Sequence, residues 1–73
     1  MRDGYTAVIQ QREGWWIGWI EEVPGVNAQA ESRVELLEDL ASALGEALEM
    51  NRADARAAAE GAPFEEVRVV LAA

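Results

Sequence analysis

The 73-residue sequence contains no cysteine and no histidine, and all six of its cations are arginines. Without cysteine there are no disulfide staples, and a reducing cytosolic setting is compatible. Without either residue the usual ligands of a zinc or haem site are missing, and carboxylates alone suit harder cations. There is also no thiol nucleophile and no imidazole base for acyl-transfer chemistry. Long hydrophobic runs are missing too. No stretch approaches the roughly 18 apolar residues that span a bilayer. The opening MRDGYTAVIQQRE returns to charge before a signal-peptide core can form. These absences predict a soluble cytoplasmic protein with no cofactor and no metal.

Positive charge is the next shortage. The net charge is -8 and the sequence pI about 4.3. Arg2, Arg12, Arg33, Arg52, Arg56 and Arg68 are scattered and form no basic stripe. Nucleic-acid binding needs cations that displace counterions from phosphates, so no direct nucleic-acid partner is expected. An anionic membrane surface is disfavoured for the same reason. The acidity keeps a small protein in solution, and it also favours encounter with a basic protein partner. A single domain over residues 1–73 is expected. Chains this short bury only about 60% of their unfolded surface, and with disulfides excluded, oligomerisation is the remaining common source of buried area.

What the chain does have is local pattern. Tyr5–Ile9 is β-prone, Arg12-Glu13-Gly14 reads as a hairpin loop, and Trp15 to about Glu21 reads as a second strand. Pro24-Gly25 suits the central pair of a type II turn, with a short third strand from Val26 to Gln29. Ser32-Arg33-Val34-Glu35 is a capping box, with Ser32 as cap and Glu35 reaching back to the serine amide. Leu36, Leu37, Leu40, Ala41, Leu44, Ala47 and Leu48 then repeat at helical spacing. Gly45 interrupts that run, and close packing on the sheet would be a reason for it. Asn51–Asp54 breaks the stripe, so Ala55–Glu60 reads as an extension, a second short helix or a frayed segment. Gly61-Ala62-Pro63 is a stop, and Glu66–Leu71 reads as a final strand. The expected fold is α+β, in the order β-β-β-α-β: a small antiparallel meander with one long helix on one face.

Three tryptophans fall within the six residues WWIGWI. Strand alternation sends Trp15, Ile17 and Trp19 to one face and Trp16, Gly18 and Ile20 to the other. One helix covers one face only. Gly18 would let a helix approach closely, which favours the Trp16–Ile20 face for the helix. Trp15, Ile17 and Trp19 are then the candidate oligomer interface, in a homodimer or higher assembly. The alternative is that loops or residues 51–64 cover that face within the chain.

Glu13-Gly14-Trp15-Trp16-Ile17-Gly18, then Glu22-Val23-Pro24-Gly25-Val26, then Gln29-Ala30-Glu31-Ser32-Arg33-Val34-Glu35-Leu36 together resemble the HicB-like antitoxin domain. The resemblance covers roughly residues 5–50. Glu21 stands where that family usually has proline, Ala30 where it has glycine, Ser32 where it has threonine and Leu36 where it has alanine; Ser32 keeps the capping chemistry. Many members add a C-terminal DNA-binding segment, whereas this sequence ends at Leu71-Ala72-Ala73 without a basic segment and looks like a stand-alone member. The resemblance implies a truncated ribonuclease H-like fold and an oligomer that masks a small basic RNA-cleaving toxin.

A ribonuclease H-like fold also raises a two-metal nuclease. That chemistry needs several converging carboxylates. Glu21 and Glu22 sit together at a strand end, no acid lies within Tyr5–Gln11 or Trp15–Ile20, and most others follow helix-surface spacing. Ser32 has a structural explanation as a cap, and Ser42 has no histidine partner. The expectation is therefore a non-enzymatic protein-binding module, antitoxin-like. The alternatives are an orphan oligomeric module that binds a small ligand, or a degenerate metal-dependent nuclease.

Overall fold

The computed structural model describes residues 4–71. Its elements are β1 (Ala7–Arg12), β2 (Trp15–Ile20), β3 (Asn27–Ala30) and α1 (Arg33–Ala57). The strands form one antiparallel sheet in the order β1-β2-β3. The fold is a small α+β arrangement, β-β-β-α, with the helix on one face of the sheet.

Local chemistry explains each corner. Arg12 pairs with Trp15, so Glu13 and Gly14 alone make the β1–β2 turn, at φ 54° and 84°. Two consecutive positive φ values are what a two-residue type I′ hairpin requires, and its twist matches the strands it joins. The tight turn lets pairing continue through Arg12, three residues past the expected end of β1. Between β2 and β3, the Val26 N–H donates to the Val23 carbonyl at 3.3 Å, with Gly25 at φ 93°. That is the left-handed third position of a type II turn, behind a proline whose ring presets φ.

Ser32 is the helix N-cap, in extended conformation, and its Oγ accepts the Glu35 N–H at 3.2 Å. The expected return contact differs in detail: the Ser32 hydroxyl donates to Glu35 Oε1 at 3.0 Å, so the carboxylate meets the hydroxyl rather than the serine amide. Leu36 and Leu40 are fully buried and form the core with Ile20, Val26 and Ala30. Trp16, Ile9, Ala28, Ala43, Leu44 and Ala47 pack around them. The helix lies on β3 and β2 and is only marginal to β1. Leu37 and Ala41 ride on its exposed flank, so the buried stripe is narrower than its apolar spacing suggests.

One open point is resolved and two expectations are corrected. Of the three possibilities left open beyond Asn51–Asp54, the extension holds: α1 runs unbroken for 25 residues to Ala57. Polar residues end the apolar stripe there without ending the backbone hydrogen bonds, and an Arg52–Glu49 ion pair one turn apart (2.9 Å) bridges the junction. Gly45 does not touch the sheet: it is exposed, and a Cβ placed on it would meet nothing within 4 Å. Glu66–Leu71 is not a strand, and residues 63–71 lie outside every helix and strand. The physical reason is the long helix. At 1.5 Å per residue it extends about 37 Å, while its packing against the sheet ends at Ala47, so the chain leaves α1 well beyond the sheet.

Candidate protein-binding face

The sheet face away from the helix is built by β2. Gly18 sits against Leu40, so Trp16, Gly18 and Ile20 point to the helix and alternation turns Trp15, Ile17 and Trp19 outward. Cross-strand register completes this face. Val8 lies opposite Trp19, Gln10 opposite Ile17 and Arg12 opposite Trp15 on the β1 side. Asn27 lies opposite Trp19 and Gln29 opposite Ile17 on the β3 side. The result is an apolar stripe along the central strand, bordered by amides and one guanidinium.

Trp15 is 43% exposed and Trp19 40%, while Ile17 is half-buried. Among the described residues, no loop or helix closes over the indoles, and residues 51–64 lie elsewhere: residues 51–57 continue α1, and residues 58–64 follow beside its end. The border groups find partners of their own. Arg12 Nη2 donates to Gln10 Oε1, and Asn27 Nδ2 donates to the Gly25 carbonyl at 3.3 Å. Apolar centre and hydrogen-bonded polar rim are the usual anatomy of a recognition surface between proteins.

The remaining acids serve other ends. Glu22 Oε1 accepts the Thr6 N–H at 2.8 Å, and the Glu21 N–H donates to the Thr6 carbonyl at 2.9 Å, closing the open end of the hairpin. Glu21 and Glu22 are therefore structural neighbours of Thr6. Among the described residues, no group of three or more carboxylates is placed to hold a metal ion. Pro24 and Gly25 form the turn at the other side of β2, and Ser32 with Glu35 caps the helix; none of these four lies on the tryptophan face.

The sequence pattern missed one cluster. After α1 the chain turns through Glu60 (φ 54°) and Gly61 (φ 81°), and Arg56 Nε donates to Glu66 Oε1 at 2.8 Å. The hydrogen bond to Glu66, then its charge, raises the Arg56 pKa above its ordinary value. Arg52, Ala55, Ala59 and Phe64 line a shallow groove around this pair. Ten residues separate the two partners, and no periodicity in the sequence announces that contact.

Scanned against protein-family models, curated proteins and solved structures, the chain matches none. No helix among the described residues is long and apolar enough to cross a membrane.

Proposed function

We propose that this protein is an antitoxin-like, non-enzymatic binding module of the cytoplasm, which self-associates and masks a small, basic, RNA-cleaving protein. The observation that carries the reading is the uncovered Trp15–Ile17–Trp19 stripe with its polar border. At roughly 25 cal/mol per Å² and up to about 250 Å² per indole, covering the open two-fifths of both rings is worth about 4–5 kcal/mol. That is comparable to the whole stability of a domain this small. The net charge of -8 supports a basic partner. The HicB-like resemblance of residues 5–50 supports a toxin in particular.

The test couples capture to activity. The protein is purified from its native cells with whatever it holds, and any small basic partner is assayed for RNA cleavage with and without added protein. Cleavage that stops on addition supports the masking role. A partner with no ribonuclease activity, or an unimpeded one, overturns it. Sedimentation at low micromolar concentration tests self-association separately: a clean 8.0 kDa species defeats the oligomer.

A further inference from the structure

Residues 67–71 are all exposed. Val67 is 72% exposed, Val69 85%, Val70 58% and Leu71 86%. Glu66–Leu71 reads EVRVVL, charge-neutral, β-branched and free of proline and glycine. Such a segment has strong strand propensity and no reason to remain in water.

Among the described residues, β1 is an outer strand of the sheet with no strand on its far side. The Glu21 N–H to Thr6 carbonyl bond makes Thr6 and Glu21 a hydrogen-bonded pair. Alternation along the register then turns the backbone groups of Val8, Gln10 and Arg12 toward β2, and those of Ala7, Ile9 and Gln11 outward. Ala7, Val8 and Ile9 are only half-buried, and the helix barely reaches β1. β1 has six residues against four in β3, and Glu66–Leu71 also has six.

As placed, the segment lies away from its own β1 edge. Its base meets the end of α1 at the exposed Arg56–Glu66 pair, 2.8 Å apart. The last helix residue packed toward the sheet is Ala47, and nine residues separate it from Arg56, about 14 Å along the axis. Residues 67–71 span about 16 Å when extended, so the return journey uses nearly all of them. The protomer's dimensions agree. Its radius of gyration is 15.6 Å and its longest extent 51 Å; a compact chain of this length has a radius near 11 Å.

We infer that residues 66–71 pair with the β1 edge of a second copy of this chain, through the outward backbone groups of Ala7, Ile9 and Gln11. Reciprocal exchange closes the assembly with two-fold symmetry and leaves neither arm unpaired. It also removes the β1 edge, which otherwise templates aggregation. The contact uses a different surface from the tryptophan stripe and stands independently of the toxin-masking reading.

The experiment mixes isotope-labelled and unlabelled full-length chains and records interchain NOEs, with amide exchange on the same sample. The expected result is contact between the Val67 and Val69 methyls of one copy and β1 of the other, with slow exchange at Ile9 and Gln11. Val69→Pro and Val70→Pro are made separately, because in a strand one of these two N–H groups must face the partner. At least one should speed exchange at Ile9 and Gln11 with the helix signal intact and, made together with Trp19→Thr so that the stripe no longer associates, weaken dimerisation tenfold or more in sedimentation. Trp19→Thr should leave the Ile9 and Gln11 protection in place. Arm-to-β1 NOEs within one chain only, a Trp19→Thr dimer indifferent to both prolines, or a monomer at every concentration would overturn the inference.

Discussion

Gly18 of β2 and Leu40 of α1 meet so closely that a Cβ on Gly18 would lie 3.1 Å from Leu40 Cδ1. The same atom would lie 3.0 Å from Ile9 Cγ2 and 3.0 Å from the Val8 carbonyl oxygen. The leucine end could swing away, but the carbonyl belongs to a paired strand and cannot. Gly18→Ala gains about 0.5–1 kcal/mol from a less flexible unfolded chain. It loses about 1–3 kcal/mol to overpacking, so a net destabilisation near 1–2 kcal/mol is expected. Urea unfolding at fixed protein concentration measures it, and an unchanged midpoint would contradict the close approach.

Gly45 should behave in the opposite way. It lies in mid-helix, exposed, with open space where a Cβ would be. Gly45→Ala removes the entropic cost of a helical glycine and adds no clash, so stability should rise by about 0.5–1 kcal/mol. The pair of glycine variants forms an internal control: same chemistry, opposite sign. A thermal melt of both, made at equal concentration, reads the difference directly.

Ser32→Ala tests the helix start. The Ser32 hydroxyl both accepts the Glu35 N–H and donates to its carboxylate, so alanine strands an amide donor and releases an acid. A loss of about 1 kcal/mol is expected, while Ser32→Asp, which keeps an acceptor at the N-cap, should lose much less. Because Leu36 follows one turn later and is fully buried, fraying there reaches the core. Hydrogen exchange should accelerate first at the amides of residues 34–37 in the alanine variant.

These residues also mark how far the sequence could be read. Alternation in WWIGWI placed each indole on its face, because strand period is set by backbone geometry alone. The Pro24-Gly25 turn and the Ser32 cap were legible for the same reason: their chemistry is complete within four residues. The failures are of another kind. Asn51–Asp54 left the helix end open rather than misread, because burial pattern is not helix continuity; the backbone continues since arginine, alanine and aspartate tolerate a helix when its side chains face water. Gly45 suggested packing from its neighbours in sequence, but only the lateral position of the sheet decides whether a mid-helix glycine is covered. Val67–Leu71 has the composition of a strand, yet a strand needs an edge to pair with. Which edge is within reach depends on the overhang of α1, and that length was not legible while residues 55–60 were ambiguous. The tryptophan face was legible as a surface but its occupant was not, since an apolar stripe specifies shape and desolvation rather than identity.

Trp16 and Trp19 provide the sharpest contrast between folding and association. Trp16 is half-buried and packs against the core, whereas Trp19 points away from the helix and is 40% exposed. Trp16→Ala should cost about 2–4 kcal/mol of protomer stability, because it opens space beside Ala30 and the helix. Trp19→Thr keeps strand propensity on a solvent-facing position, so the dilute protomer should lose little. At an interface the outcome reverses. An indole at the centre of a recognition surface carries about 2 kcal/mol or more, so Trp19→Thr should weaken association roughly 30-fold. Folding and association are separated by repeating denaturation across a hundredfold range of protein concentration, because the stability of an associated state rises with concentration and that of a protomer does not. If Trp19→Thr shifts the denaturation midpoint equally at every concentration, the outward indole belongs to the protomer's own core and the stripe is not an interface.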